Sequence, residues 1–485
     1  MDAAYRTMFT GCVLVGLTLL IGCRTAGHSG SLLSHGLDGA APDLPDEPPP
    51  VSLPTVDAGA DQSASNATPS PIQTVALSQP IAEDSQLPTP PADRAERLEV
   101  EPLVAQVLSL NPDIRSATAA WRAAAQRYPQ VVALDDPMFG YMLGPASWGS
   151  DDVESAYMLE ASQKIPWPGK RQLRGSIARA EANAAYFDIQ EQRLRIAEAA
   201  RLAYYQYFLA HRQLAVLEES TALLRSFRDI ALRKFESAEA EQQDVLLADV
   251  ELAQLERQRL SLARAERVAR ARINTLLLVA PDNPLPAPPG DLELRKSLPS
   301  SDQLLDLSLA ERPELAAQAA RIRRERYSAA LARKEFLPDM ELVARYDAFW
   351  QEEPLRPMIG MNFNVPIYKQ KRWAALREAN ARGGQQQAAL DSKVVEISFQ
   401  LEQAYQRVRE SAETVEVYKQ RILPTARHSI EAAQVSYIAG RLDFLRLIES
   451  QRQLLLFQDR YYESVAEYYG RLAELERQVG MPVGL

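Results

Sequence analysis

Two stretches of the sequence, about 200 residues apart, decide the fold: IPWPGKR at residues 165–171 and VPIYKQKR at residues 365–372. Apolar and polar residues alternate before each stretch, and a long run rich in Ala, Leu, Gln, Glu and Arg follows it. The alternation is typical of a β-strand, whereas the long run is typical of a helix. The two stretches are therefore expected to mark the same strand-to-helix junction in two copies of one structural unit.

The repeat extends across most of the chain. Further motifs recur in the same order in both halves: NPDI at 111–114 with RPEL at 312–315, AY at 203–204 and 404–405, and DVL at 244–246 with DFL at 443–445. A repeat at this offset predicts two units, 98–300 and 301–485. Each unit is expected to contain a helix, a β-hairpin, one very long helix, a turn and a returning helix. The hairpins are predicted at 135–166 and 338–367.

The predicted long helices carry a heptad pattern. In the second half, apolar and small residues recur at alternating spacings of four and three from Ile397 to Ile422, and the first half repeats the pattern from Ile196 to Thr221. Such a seam is typical of closely packed helices. The helix predicted over 170–236 would be roughly 100 Å long at about 1.5 Å per residue. A rod of this length excludes a compact globular fold. The remaining possibilities are a filament-like coiled coil and an elongated assembly that also contains the predicted strands.

The four alternating segments indicate membrane-spanning β-strands rather than a filament-like coiled coil. In the last of the four, Ile359, Met361 and Phe363 face one way, whereas Asn362 and Asn364 face the other. Apolar residues outward and polar residues inward are the weak signature of transmembrane β-strands. Tryptophan would lie at both edges of a bilayer-thick band: Trp148 and Trp350 near the hairpin tips, and Trp167 and Trp373 just past the junctions. Soluble hairpins with one buried face are the alternative.

The number of strands predicts an oligomer. Four strands cannot close a membrane barrel, since the smallest barrels have about eight, and lipid does not tolerate an open sheet edge. Several chains must therefore pool their strands. Three chains of four strands would give twelve, with paired helices forming a tube below the barrel.

The N-terminus predicts an export signal and a lipid anchor. An apolar run from Met8 to Ile21 follows Arg6 and is too short to span a bilayer, as expected of a signal peptide over 1–22. Its end, LIGC at 20–23, resembles a bacterial lipobox, which predicts acylation of Cys23 and a tether to the outer membrane. A plain secretory signal with an incidental cysteine is the alternative. Residues 23–97, rich in Pro, Ser, Ala, Asp and Gly, are expected to be a disordered tether.

Composition excludes several function classes. The net charge of −10 and the lack of a basic block argue against nucleic-acid binding. The two cysteines, Cys12 and Cys23, precede the folded part, and the four histidines are dispersed. The sequence has no Ser/His/Asp arrangement, Gly-rich phosphate loop or metal-ligand spacing, so it predicts no enzyme, cofactor or resident metal. Methionines cluster in the strand segments, where filling of apolar surface is favoured over soft-metal binding: Met138, Met142, Met158, Met358 and Met361.

From residue 98 to residue 481 the chain resembles the outer-membrane factor family typified by TolC, in its lipoprotein branch. The repeat, the IPWPGKR junction and YIAGRLDFL at 437–445 carry this resemblance. It implies a mainly α protein with a small β part. Each chain would contribute long helices to an α-barrel plus four transmembrane β-strands, and a trimer would form a 12-stranded barrel.

The resemblance implies a passive export duct. The trimer would be the outer-membrane channel subunit of a tripartite efflux system for small molecules or metal ions. Its implied partners are a periplasmic adaptor protein, an inner-membrane efflux transporter of the RND type, and outer-membrane lipid. The alternative is a periplasmic coiled-coil interaction lipoprotein without a pore, which would leave the four alternating segments unexplained.

The resemblance also implies a periplasmic gate at the two helix turns. Asp244 and Asp443 are expected at equivalent positions, and in a trimer they would supply six carboxylates whose repulsion favours cation binding. Arg446 stands where the family often has a second acidic residue and is expected to pair with Asp443. Capping of the returning helices is the alternative role of both aspartates. Adaptor contacts are expected at Val245, Leu246, Gly440, Phe444 and Leu445, and the strand-to-helix junctions are marked by Pro166, Trp167, Pro168, Gly169 and Pro366.

Overall fold

The computed structural model describes residues 97–149, 154, 156–294, 298–350 and 352–482. The predicted signal peptide over 1–22, the acylated Cys23 and all but the last residue of the tether lie outside these ranges. Within them the chain is mainly helical with one small antiparallel sheet, which confirms the predicted fold class. None of the helices in the described ranges combines the length and the apolar character needed to cross a membrane.

The two halves contain the same order of elements. The first half comprises α1 (Val100–Leu110), α2 (Pro112–Ala125), α3 (Arg127–Val132), β1 (Met138–Leu143), β2 (Tyr157–Ile165), α4 (Lys170–Glu236) and α5 (Gln242–Leu276). The second half comprises α6 (Ser301–Glu311), α7 (Pro313–Lys334), β3 (Met340–Asp347), β4 (Pro357–Phe363), α8 (Lys369–Val417), a π-helix (Tyr418–Ile422), α9 (Leu423–Ile438) and α10 (Phe444–Val479). The Pro-rich segment between α5 and α6 contains the predicted boundary at 300, which stays a prediction.

The long helix of the first half has the bounds that its sequence predicts. α4 runs for 67 residues, begins after Gly169 in the left-handed region and ends before Ala238, whose φ is 59°. In the second half the corresponding rod is interrupted, because α8 passes through the π-helix into α9. Pro424 lies in the first turn of α9. A proline has no N–H and releases a carbonyl one turn earlier, which gives this interruption a local cause.

The four strands form one sheet in the order β1-β2-β3-β4, with antiparallel neighbours throughout. Residues paired across the strands share a face of the sheet. One row is apolar: Phe139, Ala161, Ala344 and Ile359. The adjacent row, on the opposite face, is mixed: Gly140, Glu160, Arg345 and Met358. Glu160 and Arg345 form an ion pair in that row, so the predicted alternation of an apolar and a polar face is present in the sheet.

The heptad seams are buried within the single chain. Leu401 and Val408 in α8 are 1% and 0% exposed, and Ala200 in α4 is 0% exposed. These side chains belong to one core cluster, to which α10 contributes Val465 and Leu472. A second core cluster lies near the turns and joins α4, α5, α9 and α10. The seams therefore account for packing inside one protomer.

Candidate functional site

A buried lysine fastens the first strand-to-helix junction to the second half of the chain. The ammonium of Lys170 donates to Asp339 Oδ1 at 2.9 Å and to the Leu337 carbonyl at 3.1 Å, and lies 3.4 Å from Glu335 Oε2. The Trp167 N–H donates to the same Asp339 oxygen at 2.8 Å. The Lys170 side chain is 1% exposed, and a buried charge needs such partners to be tolerated. The junction is therefore locked to the start of β3.

Trp167 is the predicted junction residue that takes part in this contact, and its neighbours Pro168 and Gly169 shape the backbone beside it. Gly169 has φ of 87°, and a Cβ there would lie 2.6 Å from Nζ of Lys334. That ammonium donates to the Pro168 carbonyl at 3.0 Å. Glycine is thus favoured both by the backbone conformation and by the approach of Lys334. Pro166 and Trp167 are half-buried beside this contact.

The second junction repeats only part of this arrangement. Nε of Arg171 donates to the Val132 carbonyl at 2.7 Å, and Nε of Arg372 donates to the Glu335 carbonyl at 2.6 Å. Both arginines therefore hold the end of the helix that precedes the hairpin of their own half. Lys371, in contrast, is exposed and forms no ion pair with any described residue. Around it the junction is open: Pro366 is half-buried, and Ile367 and Tyr368 are 68% and 74% exposed.

At the other end of the rods, the two turns are joined by a tyrosine. The hydroxyl of Tyr437 donates to Asp244 Oδ2 at 3.2 Å. The ammonium of Lys234 donates to the Tyr437 carbonyl at 2.9 Å and lies 5.1 Å from the centre of its ring. The Tyr437 ring packs on Phe444, with 5.2 Å between the ring centroids. The predicted gate residue Asp244 is thus tied to the second half of the chain.

Partial burial raises the pKa of Asp244 above its ordinary value. The charges of Glu241 and Asp443 raise it as well, whereas the Tyr437 hydrogen bond and the Lys234 charge oppose the shift. The two turns therefore bring the two aspartates within electrostatic reach of one another inside a single chain. This proximity is a precondition of the predicted carboxylate cluster, whose role as a gate stays a prediction.

The two aspartates do not occupy equivalent helix positions. Asp443 is the N-cap residue of α10, whereas Asp244 is the third residue of α5, whose N-cap residue is Glu241. Within the described residues, neither N-cap side chain accepts a hydrogen bond from its helix. The side-chain capping considered for Asp443 is therefore not formed. Arg446 is exposed, and no described ion pair joins it to Asp443.

The residues predicted to contact an adaptor divide into exposed and buried ones. Leu246 and Leu445 are 55% and 57% exposed and extend from the two turns. Gly440 is also exposed, with φ of 69° and open space around it. Val245 is half-buried, and Phe444 is 1% exposed against Tyr437. In this conformation, the surface available to a partner contains the two leucines and not Phe444.

Sequence reasoning missed the residues that hold these sites together. Lys170 and Tyr437 stand inside the motifs at 165–171 and 437–445, but the motifs do not identify their partners. Lys234 has no signal beyond its place at the end of a helix, where a cation is ordinary. The partner residues Asp339 and Asp244 lie 169 and 193 positions away along the chain. Only the fold brings them together.

The sheet leaves its apolar face and both of its edges open within the described chain. On that face Phe139 is 82% exposed, Tyr141 60% and Ile359 92%. β1 and β4 are the outer strands, so each presents unpaired backbone groups along one side. An apolar band of this kind, next to open edges, is unfavourable in water and marks an interaction surface.

Comparisons of the sequence with known proteins agree with this arrangement. Residues 304–481 match the family model described as Outer membrane efflux protein. The cobalt-zinc-cadmium resistance protein CzcC of Cupriavidus metallidurans is 23% identical over 39% of this chain and 45% of its own length. The alkaline protease secretion protein AprF of Pseudomonas aeruginosa is 25% identical over 64% of this chain and 66% of its own length. Both matches span less than two thirds of the relative.

Solved structures share the fold. The outer-membrane channel OprN superposes with a TM-score of 0.67 at 20% identity, over 79% of this chain and 89% of its own. CusC, which forms a transmembrane channel, gives 0.66 at 16% identity, over 79% and 92%. The outer membrane protein VceC of Vibrio cholerae gives 0.65 at 16% identity, over 79% and 96%. Together with the family match, these likenesses confirm the predicted resemblance to outer-membrane efflux channels.

Proposed function

Because residues 304–481 match the family model described as Outer membrane efflux protein and the chain shares the fold of solved outer-membrane channels, we propose that it is the outer-membrane channel subunit of a tripartite efflux system. It acts as a passive export duct across the periplasm and the outer membrane, and not as an enzyme. The observation that carries the proposal is the union of two structures in one chain. A small sheet with an exposed apolar face continues directly into helical rods, of which α4 has 67 residues.

The duct is a homotrimer. One chain supplies a four-stranded sheet whose outer strands are unpaired, and lipid does not tolerate unpaired backbone groups. Joining β4 of one copy to β1 of the next removes every edge when three copies close a ring of twelve strands. The apolar face then meets lipid, and the face with Glu160 and Arg345 lines the pore.

The turns at the far end of the rods are the contact with the rest of the pump. A periplasmic adaptor protein binds there and links the duct to an RND-type inner-membrane transporter. Leu246 and Leu445 are the exposed apolar residues on the two turns that support this contact. Asp244, Asp443 and Arg446 supply the charges of the gate beside it. The acylated Cys23 anchors the chain to outer-membrane lipid.

The cargo is a small molecule or a metal ion. The two relatives are named for metal resistance and for protease secretion, so they differ in what they export. Four of the strand methionines share the polar face with Glu160 and Arg345: Met138, Met142, Met158 and Met358. A susceptibility panel on a deletion strain, metals against organic toxins, identifies the class. Loss of resistance to soft metals alone is the result expected if these thioethers contact the cargo.

Two measurements test the proposed function. Purified from outer membranes in detergent, the full chain should be a trimer by light scattering and should give stable ion conductance in planar bilayers. A soluble monomer without conductance would contradict the proposal and favour the poreless coiled-coil lipoprotein.

The Cys23→Ser variant further distinguishes the duct from the poreless lipoprotein. The duct stays in the membrane fraction after this substitution, whereas a merely tethered coil becomes soluble. Mass spectrometry of the parent should find Cys23 as the acylated first residue.

A further inference from the structure

The two halves of the sheet can be aligned residue by residue through their strand pairing. In the repeat Ile165 corresponds to Val365, so Ala161 corresponds to Met361. Ala161 pairs with Phe139, and Met361 pairs with Leu342. Phe139 and Leu342 are therefore equivalent positions on β1 and β3. Counting back three residues from Phe139 and from Leu342 shows that Asp136 is equivalent to Asp339 in the repeat.

The arginine contacts support this alignment independently. Arg171 binds the carbonyl of Val132, and Arg372 binds the carbonyl of Glu335. Val132 stands seven residues before Phe139, and Glu335 stands seven residues before Leu342. The same counting places Leu134 opposite Leu337. The two halves thus share their geometry from the end of the preceding helix through the junction.

Lys170 and Lys371 stand at the same place in this shared geometry, directly before the two arginines. Lys170 reaches forward to the next unit, where Asp339 and the Leu337 carbonyl bind it. The next unit after Lys371 would begin with Leu134 and Asp136, but in the same chain that unit lies at the opposite edge of the sheet. Lys371 and Asp136 are accordingly both exposed, and neither has an ion-pair partner among the described residues.

We propose that Lys371 of one copy binds Asp136 and the Leu134 carbonyl of a second copy, completing between chains the contact that Lys170 makes within one. This inference rests on the proposed trimer and names the polar contact that fixes its register. The surfaces are complementary: a cation follows β4, an anion precedes β1, and both strands are open edges. Ile367 and Phe139, 68% and 82% exposed, supply apolar area beside the pair. Three such contacts close the ring.

Register is what this contact determines. A strand slipped by one residue turns every side chain to the opposite face of the sheet. The interface between two copies therefore requires a contact that specifies one register. Backbone pairing of β4 with β1 tolerates several registers. A lysine that must bind one carboxylate and one carbonyl at the same time is compatible with only one register.

Charge exchange tests the pairing in the full chain. Lys371→Glu and Asp136→Lys should each lower the temperature at which the trimer dissociates on a semi-native gel, because like charges then meet at the joint. The double variant should recover most of the loss. Asp135→Lys is the matched control, since it changes the neighbouring exposed aspartate, which is out of register. Combined with Lys371→Glu, it should recover nothing.

Crosslinking tests the distance. Two differently tagged chains are co-expressed in a Cys23→Ser background, one with Lys371→Cys and the other with Asp136→Cys. Because an extended lysine normally holds its partner beyond disulfide reach, a short bismaleimide is used. It should join the two tags, whereas Asp391→Cys, about 30 Å further along α8, should give no product with Asp136→Cys.

The outcomes distinguish the pairing from the proposed function. A trimer that conducts ions, but shows neither recovery on charge exchange nor the crosslink, overturns the Lys371–Asp136 contact and leaves the duct intact. Equal recovery with Asp135→Lys also overturns it, since only net charge would then matter. A parent protein that is monomeric and does not conduct overturns both proposals. Recovery restricted to Asp136, together with the crosslink, supports the contact.

Discussion

The two halves of the chain share one order of elements but are completed differently. In the first half, the junction lysine is 1% exposed and bound to Asp339, and α4 runs unbroken for 67 residues. In the second half, Lys371 is exposed and the rod is interrupted by the π-helix at Tyr418–Ile422. Local sequence alone would give two similar units. The first unit is thus completed by the second, whereas no further unit follows Lys371 among the described residues.

Substitutions in the heptad seams should have the largest effect on stability, and the effect should differ between the two halves of the chain. Val408 in α8 is fully buried, whereas Leu214, in the seam of α4, is half-buried. A buried carboxylate without a partner costs about 3–5 kcal/mol. We expect Val408→Asp to lower the free energy of unfolding by that amount, and Leu214→Asp to cost clearly less. Loss of helical circular dichroism on heating in detergent measures both.

A variant on the same helix controls for the charge itself. Val395 in α8 is 71% exposed, so Val395→Asp should change the stability of the protomer by no more than about 0.5 kcal/mol. If Val395→Asp and Val408→Asp were equally damaging, the seam would not be the core of the protomer. Val408 would then not lie in a buried core.

Substitutions at glycines in the left-handed backbone conformation should have a smaller effect on stability. They distinguish backbone strain from a steric clash of the added Cβ. Gly169 and Gly440 have φ of 87° and 69°, a region that costs other residues about 1–2 kcal/mol. A Cβ at Gly169 would also displace the Lys334 ammonium from the Pro168 carbonyl, whereas Gly440 has open space around it. Gly169→Ala should therefore lower the unfolding temperature more than Gly440→Ala. Equal losses would show that Lys334 contributes nothing.

The first turn supplies the reverse experiment. Ala238 already adopts φ of 59° in the turn between α4 and α5, without the relief that glycine would provide. Ala238→Gly should consequently raise the stability by about 1 kcal/mol. Gly440→Ala should lower it by a similar amount in the other turn. The pair tests whether the two turns have the same backbone energetics despite their different sequences.

The features predictable from sequence are those set by local periodicity. The bounds of α4, the alternation along β3 and β4, and the burial of the seam at Leu401 and Val408 all follow from spacings of two, three and four residues. Pro424 carried a readable signal for the interruption of the second rod, but the heptad pattern runs on to Ile422 and conceals it. Periodicity reports which side of an element is buried, and not what it is buried against.

The contacts of the candidate site lie outside the reach of periodicity. Lys170 looks like any solvated lysine in sequence, and its partner Asp339 belongs to the other half of the chain. The motifs DVL and DFL predict that Asp244 and Asp443 are equivalent, yet α5 begins two residues before Asp244 and α10 begins one residue after Asp443. Short matching motifs fix the approximate place of a residue. They do not fix its phase on a helix, which decides what the side chain meets.

The turns give the smallest effect on stability and the one closest to function. Tyr437→Phe removes the hydroxyl bound to Asp244 but keeps the ring that packs on Phe444, so it should cost only about 0.5–1.5 kcal/mol. The same bond helps to hold α9 beside α5, at the mouth of the proposed tube. We therefore expect longer open times in single-channel recordings. Asp443→Ala, at an exposed side chain, should leave the unfolding temperature unchanged.

Divalent cations applied from the periplasmic side probe the carboxylates themselves. Asp244→Ala combined with Asp443→Ala should abolish cation block, because the charge at the constriction is lost. The pH dependence of this block probes the protonation of Asp244. In the parent channel, cation block should strengthen as the pH rises and Asp244 ionises.

The Tyr437 hydrogen bond lowers the pKa of Asp244 against the larger effect of burial, so removing that hydrogen bond raises the pKa of Asp244 further. Tyr437→Phe should accordingly move the midpoint of block to higher pH. The folded state favours the protonated carboxyl, so the stability that this group contributes is present at low pH and is lost as the pH rises through its raised pKa. Unchanged block in the double alanine variant would place the constriction elsewhere along the tube. A midpoint that moved to lower pH in Tyr437→Phe would show that the tyrosine does not stabilise the ionised form of Asp244.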